Sequence, residues 1–297
     1  PEYVTGRQDE WKAFLTTAAR NYKYPYYDQL MIYLQRPEAT ACAEYDFWFD
    51  TMHRYVKRGA KGIALVDNEG DSPKLRYVFD VADTGARSNS RPVWLWQMKE
   101  EYQNPVMAAL ERAYGVSREN LSLEAQLERV AGRLAADYWM NYGRQISGIV
   151  ADSFLEEYDE FNIGAAFRKA AQASIAYTLS VRCTEEAENQ FEPEDFRDVA
   201  DFNTRQTAAA LGTAVSSISR EVFREIERAI RDYERTKAQE RSQDYEERNN
   251  IQTGRGLSAS GDRVERDDGE ASGQIRENAQ SLSEGEQSDT VQRSGAD

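Results

Sequence analysis

The feature that most constrains this chain is a stripe of apolar residues that recurs every three or four positions between residues 211 and 233. This spacing places the apolar side chains on one face of an α-helix, and such a face has to pack against other elements. A shorter stripe with the same period lies between residues 123 and 138. Helical periodicity prevails over residues 93–239, which predicts an all-α helical domain whose last helix can extend as a coiled-coil stem.

The N-terminal part mixes helical and strand signals. A helix is predicted over residues 26–35, because Pro37 disfavours the α conformation at the residue before it. Residues 63–66 and 75–81 are rich in β-branched and aromatic side chains, and the polar residues between them favour a hairpin turn. The expected fold class is therefore an α+β N-terminal domain, with helices and a small antiparallel β-hairpin or sheet, followed by an all-α helical domain and a disordered tail.

The C-terminal segment has a different composition. Of the 57 residues 241–297, only six are Leu, Ile, Val or Phe, whereas seven are glycine and 20 are charged. Such a segment cannot bury enough apolar surface to offset the entropy that it would lose on ordering. The predicted divisions are thus an N-terminal domain over 1–88, an acidic helical domain over 93–239, and a disordered linker or tail over 240–297. A linker of this length suggests that a further domain follows it.

The sequence carries no sign of export. No apolar run reaches the roughly 20 residues of a membrane span, and no signal peptide is visible. Cys42 and Cys183 lie far apart and are expected to be inert thiols in a reducing compartment. These features predict a cytoplasmic protein without a membrane partner. The first residue is Pro1 rather than methionine, as expected for a piece of a longer polypeptide.

Catalytic signatures are missing from the sequence. It contains no Gly-x-x-x-x-Gly-Lys-Ser/Thr loop and no Gly-x-Ser-x-Gly elbow, and its single histidine, His53, excludes a His-Glu-x-x-His helix. One histidine and two distant cysteines also do not make a zinc site. A surface or turn role for His53 is favoured over a catalytic one. We therefore expect no enzyme activity, no metal and no cofactor.

The net charge of −15 argues against a general duplex-DNA-binding protein. Residues 1–90 are nevertheless nearly neutral, with 12 basic and 13 acidic side chains. A glycine-containing turn in this part concentrates Arg54, Lys57, Arg58 and Lys61. Aromatic rings beside a basic groove are typical of single-strand binding, because an exposed base that stacks on a ring gains about 1–3 kcal/mol. The alternative is an ordinary solvated turn.

A cluster of tyrosines precedes this turn. Tyr33 belongs to the apolar positions of the predicted helix and is expected in the core. Tyr24, Tyr26 and Tyr27 flank Pro25 at the entrance of that helix, where side chains can project from a rigid turn. These three are the candidate stacking residues. The alternative is that one or more of them simply cover the core.

Several motifs follow one another in order over residues 8–84: Trp11, "QLMIYLQRPEAT", Trp48, "VKRGAKGIAL" and "YVFDVADT". This order resembles the N-terminal domain of ArdC-like antirestriction proteins, a module associated with single-stranded DNA binding. The resemblance implies that polar and basic residues at the matched positions contact DNA, whereas the glycines and Pro37 shape the backbone. Together with the residues chosen above, the candidate DNA-binding positions are Tyr24, Tyr26, Tyr27, Gln29, Gln35, Arg36, Thr40, Trp48, Arg54, Lys57, Arg58 and Lys61.

The resemblance does not extend to the second part of ArdC-like proteins. There a zinc metallopeptidase-like domain with a His-Glu-x-x-His helix follows, whereas residues 85–297 contain no histidine. The downstream sequence, including "FEPEDFRDVADFNT" and "GRGLSASGDR", is instead similar to the N-terminal region of large helicase/DNA-methyltransferase polypeptides of conjugative elements in Gram-positive bacteria. That similarity implies helicase and methyltransferase domains of the same polypeptide, beyond residue 297, as partners.

The expected function is a single-stranded DNA-binding module at the N-terminus of a mobile-element DNA-processing or antirestriction protein. The main alternative is a protein-interaction or oligomerisation scaffold that acts through the acidic helical domain without binding DNA. DNA mimicry is a third possibility, but 37 basic residues are interspersed among the acidic ones. Binding by residues 1–90 alone would favour the first interpretation, and binding by residues 93–240 alone would favour the other two.

Overall fold

The computed structural model describes residues 2–67, 72–184 and 190–257. The chain divides into two compact units, Pro1–Arg241 and Ser242–Asp297. The described helices are α1 (Glu2–Thr5), α2 (Gln8–Arg20), α3 (Tyr26–Gln35), a π-helical segment (Phe47–Thr51), a 3₁₀ turn (Val81–Asp83), α4 (Glu100–Tyr114), α5 (Leu123–Ser147), α6 (Glu160–Cys183), a 3₁₀ segment (Pro193–Asp201) and α7 (Arg205–Leu257). The described strands are β1 (Cys42–Glu44), β2 (Tyr55–Val56), β3 (Ile63–Asp67), β4 (Lys74–Asp80) and β5 (Thr84–Gly85).

A single hydrophobic core joins the N-terminal helices to the helical bundle. Trp11 and Phe14 on α2 belong to the same buried cluster as Phe167 on α6 and Phe223 on α7. The indole N–H of Trp11 donates a hydrogen bond to Ser174 Oγ at 2.9 Å. This bond satisfies the polar atom of a fully buried tryptophan and ties α2 to α6.

The predicted domain boundary between residues 88 and 93 is consequently not a boundary of packing. Residues 1–241 form one compact unit, because α2 packs on α6 and Tyr26 of α3 lies against Gly212 of α7. The α+β fold class is present, but helices α2 and α3 belong to the bundle as much as to the sheet. Apolar periodicity predicts that a helix has a buried face, and it does not say which element covers that face.

Strand β4 is the centre of a three-stranded antiparallel sheet with the order β1-β4-β3. The predicted hairpin is present as β3 and β4, with Ile63 opposite Val78. A separate two-stranded pair is formed by β2 and β5. Because side chains alternate across a strand, Ile63, Leu65 and Val78 share the inner face, where they pack with Ile32 and Ala39 in a small second core.

The apolar stripe between residues 211 and 233 lies on α7 and faces the core. Leu211, Val222, Ile226 and Ile230 are completely buried, so this part of the helix is a core element and not a free coiled-coil stem. In the part of the chain that the structure describes, no helix is both long and apolar enough to cross a membrane.

Helix α7 continues to Leu257, past residue 240 where the linker was expected to start. Residues 241–257 contain three Arg, two Glu and two Gln, which have high helix propensity and prolong a helix that the core has already nucleated. The rest of the predicted disordered tail, residues 258–297, lies outside the described residues.

Candidate nucleic-acid interface

The three candidate tyrosines at the start of α3 have different surroundings. Tyr26 is only 2% exposed, and its ring lies 5.7 Å from that of Phe14 in the core. Tyr24 is partly buried, and its hydroxyl donates to the carbonyl oxygen of Cys42 at 2.9 Å. Burial raises the pKa of both phenols. Of the three, Tyr27 alone is well exposed, at 53%; Tyr26 packs in the core, and the hydroxyl of Tyr24 is engaged within the fold.

The two glutamine candidates hold α3 in place. Gln29 is buried, and its Nε2 donates to the carbonyl oxygen of Asn21 at 3.4 Å. Gln35 is exposed, but its amide pairs with the backbone of Ala64: Nε2 donates to the carbonyl oxygen at 2.8 Å, and Oε1 accepts from the N–H at 2.9 Å. Because β3 is an edge strand, Gln35 occupies backbone groups that an edge leaves open. Both amides are engaged within the fold, and their contact with DNA stays a prediction.

Arg36, Thr40 and Trp48 are also engaged within the fold. Arg36 forms an ion pair with Asp83, and this hydrogen bond raises the pKa of the guanidinium. The N–H of Thr40 donates to Asp80 Oδ2 at 2.6 Å. Trp48 is buried, and its indole N–H donates to a carbonyl oxygen of β4 at 2.9 Å. These three positions fix the sheet and its connections, and their contact with DNA stays a prediction.

Of the four cations in the basic turn, two form hydrogen bonds within the fold and two do not. Arg54 Nε donates to a threonine hydroxyl of β5 at 2.8 Å, and Lys57 Nζ donates to a carbonyl oxygen just before β5 at 2.8 Å. Arg58 and Lys61 are exposed and pair with no residue in the described ranges. Gly59 has a φ of 86°, a conformation that favours glycine and allows the tight turn. Two of the four predicted cations therefore remain available to an anion.

A set of exposed aromatic rings that the sequence analysis did not select lies beside this turn. The rings of Tyr45 and Phe49 stack with centroids 5.9 Å apart and planes 10° apart. The Arg87 guanidinium lies over Phe49 at 5.1 Å and over Tyr55 at 5.9 Å. Tyr45, Phe49 and Tyr55 are 49%, 40% and 42% exposed. We call these four residues the aromatic row.

Local backbone features position the aromatic row. The π-helical segment Phe47–Thr51 carries its second ring, and π-helical turns occur frequently at functional sites. The ring of Tyr55 lies directly over Gly85, where a Cβ would come within 2.8 Å of Cε1. The hydroxyl of Ser90 donates to the carbonyl oxygen of His53 at 2.7 Å. The same hydroxyl accepts from the N–H of Arg87 at 2.7 Å, so it ties the arginine of the row to the backbone of His53.

The outer face of the three-stranded sheet is apolar as well. Ala64 lies opposite Tyr77, and Val66 lies opposite Leu75. Tyr77 is 52% exposed and Leu75 is 61% exposed. A Cβ added to Gly62 would lie 3.1 Å from Tyr77 Cβ, so the basic turn packs closely against this face. The turn is therefore bordered by aromatic side chains.

Acidic residues limit the positive potential around the row. Asp46 and Asp50 are exposed on the same segment as its first two rings, and Arg76 is neutralised by ion pairs with Asp28 and Glu44. Among the described residues, no group of three His, Cys, Asp or Glu side chains is arranged to hold a metal ion. The surface can therefore offer ring faces, one guanidinium above them and few phosphate contacts.

One signal in the sequence could have located part of the row. Tyr45 and Phe49 are four residues apart, a spacing that brings side chains together on a helical turn. Arg87 could not be found in this way, because its approach to Phe49 depends on the pairing of β2 with β5.

No protein-family model, no curated protein and no solved structure matches the chain. The class of site is therefore defined by geometry alone: an exposed aromatic and cationic surface on an α+β fold.

Proposed function

We propose that the chain binds single-stranded DNA through the aromatic row and the basic turn. It acts by binding without catalysis, as a module of a mobile-element DNA-processing or antirestriction protein. The observation that carries the proposal is the stacked, half-exposed pair Tyr45 and Phe49, continued by Arg87 and Tyr55. Large apolar surfaces left in water commonly mark binding sites. The resemblance of residues 8–84 to ArdC-like N-terminal domains supports DNA as the partner.

The rings account for the preference for a single strand. Every base has a π-face, and stacking on an aromatic side chain contributes about 1–3 kcal/mol per base whatever the sequence. Bases inside a duplex are already stacked and do not present those faces. The guanidinium of Arg87 adds a cation–π contribution to bases that reach the row. The expected binding is thus tolerant of sequence and weak for duplex DNA.

Phosphate contacts are expected to be few. Arg58 and Lys61 are the free cations of the turn, since Arg36 and Lys57 are bonded within the fold. For single strands, log K falls against log salt with a slope of about −0.7 per neutralised phosphate, so two contacts predict a slope of about −1.4. Four free cations would predict about −2.8.

The test is fluorescence anisotropy of a labelled oligothymidylate titrated with the whole chain, beside a duplex of equal length. The whole chain is needed because the core of residues 1–90 is completed by α6 and α7. We expect Tyr45→Ala/Phe49→Ala to weaken single-strand binding at least about fivefold, the equivalent of 1 kcal/mol. Tyr158→Ala, which removes an equally exposed ring outside the row, is the control. Unchanged binding by the double variant would refute the proposal.

A salt titration tests the phosphate contacts separately. Arg58→Gln/Lys61→Gln should bring the salt slope close to zero, whereas Arg129→Gln, an exposed arginine on α5, should leave it unchanged. If the slope of the double variant equals that of the wild type, the turn is an ordinary solvated one and does not contact phosphate.

One observation favours a second function, association with protein through the helical part. Three large apolar side chains here are 75%, 66% and 76% exposed: Met140 on α5, Phe154 in the following connection and Phe161 on α6. α5 and α6 pack together, and Trp139 lies against Gly164 at this end of the pair. Analytical ultracentrifugation tests the idea: concentration-dependent self-association that Met140→Ser/Phe161→Ser abolishes would support it, and a monomer at all concentrations would exclude self-association through this surface.

A further inference from the structure

A cavity of about 90 Å³ lies between the end of α2, strand β1, the segment that precedes α4, and helices α6 and α7. Its lining includes the cations Arg20, Lys23 and Arg182, whereas Glu227 is the one carboxylate among the described residues that form it. No residue of the aromatic row lines this cavity. It is therefore a second cationic site in a chain whose net charge is −15.

The two arginines are held in the wall by neutral acceptors. Arg182 donates to the carbonyl oxygens of Ala19 and Trp96 at 3.3 and 3.5 Å. Arg20 donates to the carbonyl oxygen of Pro37 at 2.7 Å. Neither guanidinium has an ion pair with any residue in the described ranges. Carbonyl oxygens compensate a buried cation only in part, because they bring no counter-charge.

Each arginine also keeps an unused donor. The Nε atoms of Arg20 and Arg182 are buried and have no hydrogen-bond partner within the described chain. Burial lowers the pKa of Arg182; the nearby Glu227 carboxylate opposes this shift, and the charge of Arg20 adds to it. Two like charges without an ion pair thus line one cavity. An oxyanion in the cavity would supply the missing negative charge and accept from the guanidiniums.

The surroundings keep the two guanidiniums in place without an ion pair to either among the described residues. The Arg182 guanidinium carbon lies 4.2 Å from the centroid of the Trp96 ring, and this contact orients the guanidinium plane. Glu227 accepts from a tyrosine hydroxyl and from Arg231, and it pairs with Lys23 at 3.4 Å. The charge of this carboxylate is therefore already compensated by other groups.

We propose that the cavity binds the phosphate group of a phosphate monoester between Arg20 and Arg182. The cavity is far smaller than the roughly 300–1,000 Å³ of a site that encloses a small-molecule ligand, so only the phosphate enters it. Trp94, 38% exposed in the lining, is the side chain that the rest of the ligand would meet. Two sources share this chemistry, the 5′-terminal phosphate of a DNA strand and a free nucleotide. The strand-end source rests on the proposed function, whereas the phosphate site itself does not.

The test compares ligands that differ only by the phosphate group. Thymidine 5′-monophosphate, thymidine and inorganic phosphate are titrated into the whole chain while tryptophan fluorescence is followed, since Trp94 and Trp96 line the cavity. In parallel, 3′-labelled oligothymidylates with a 5′-phosphate or a 5′-hydroxyl are compared by anisotropy. Two charge-assisted hydrogen bonds predict binding about tenfold tighter, or more, for the phosphorylated member of a pair.

Variants connect this preference to the arginines. Arg20→Gln should remove the preference for phosphate and leave binding of the 5′-hydroxyl strand unchanged, while Arg129→Gln should leave both unchanged. Arg182→Lys keeps the charge without the planar fork and should retain part of the preference. Arg182 bonds to two backbone carbonyl oxygens and Arg20 to one. If the Arg182 variant fails to fold, the result for Arg20→Gln decides.

The outcomes separate this inference from the proposed function. A preference for the 5′-phosphorylated strand supports the site and identifies a strand end as its source. A response to thymidine 5′-monophosphate alone supports the site with a free nucleotide as its source, even if neither strand binds. The inference would be overturned if thymidine 5′-monophosphate and thymidine bind equally and the two strands also bind equally. It would also be overturned if Arg20→Gln leaves a preference for phosphate intact. Neither result bears on the aromatic row, which has its own test.

Discussion

The contact between α3 and α7 allows a sharp test of how the N-terminal helices are held. Gly212 lies on α7 where the ring of Tyr26 packs, and a Cβ at this position would come within 2.6 Å of Cδ2 and closer still to two other ring atoms. The ring has little room to retreat, because it is 2% exposed and borders the rings of Phe14 and Tyr27. The substitution Gly212→Ala therefore forces an overlap in the core.

The expected magnitude follows from two opposing effects. Replacing a helical glycine by alanine gains about 1 kcal/mol of helix propensity. Overpacking a core typically costs about 1–3 kcal/mol, and a backbone-anchored methyl against a confined ring belongs at the upper end. The net expectation is a loss of about 1–2 kcal/mol in the free energy of unfolding.

Urea denaturation followed by circular dichroism measures this change. Gly132→Ala is the matched control, because its Cβ would meet only the flexible end of Gln172 at 3.1 Å or more. That variant should be neutral or more stable by up to about 1 kcal/mol. In the double variant Tyr26→Leu/Gly212→Ala, the cost of Gly212→Ala should largely disappear. A Gly212→Ala protein that is as stable as Gly132→Ala would refute the proposed packing of α3 on α7.

Three further outcomes are expected. Tyr26→Phe should raise the free energy of unfolding by about 1 kcal/mol in urea, because the buried hydroxyl has no partner in the described chain, and it should leave DNA binding unchanged. Arg36→Gln should lower the free energy of unfolding by about 1–3 kcal/mol, because it leaves Asp83 unpaired. It should not alter the salt slope of DNA binding, and a reduced slope would indicate that Arg36 contacts phosphate. Burial raises the pKa of Cys183 to about 12, whereas a cysteine in the unfolded chain has a pKa of about 8.5. Between these values the unfolded chain loses the thiol proton and the folded chain keeps it. The free energy of unfolding should therefore fall above about pH 8.5, by about 1.4 kcal/mol per pH unit for this thiol. Denaturation at pH 8 and pH 10 should show a smaller fall for Cys183→Ala, and equal falls would contradict the assignment.

Local sequence signals predicted the elements well. The helix expected over residues 26–35 is α3 with the same bounds, and the expected hairpin is β3 and β4. These predictions succeed because proline geometry and side-chain periodicity act within a few residues. The predicted start of the linker at residue 240 lies beside the division between the compact units at Arg241, although helix α7 runs on to Leu257, since low hydrophobicity does not prevent a nucleated helix from continuing.

The candidate site was predicted less well. The sequence directed attention to the basic turn and to the third of the chain that carries the aromatic row, but it could not separate the buried Tyr26 from the exposed Tyr27. Adjacent residues on a helix point in different directions, and only the position of α7 decides which ring is covered. The same applies to Arg36 and Arg58, because an ion pair with a distant aspartate cannot be seen in local composition.

The sequence by itself determined the helical periods, the antiparallel hairpin, the glycine-containing basic turn and the lack of catalytic motifs. Each of these depends on residues close together in the chain. The tertiary structure alone decided that the N-terminal helices share a core with the bundle. It also decided that Arg87 covers Phe49, and that Arg20 and Arg182 line one cavity. Those contacts join residues far apart in the chain, and their formation depends on packing that no local pattern encodes.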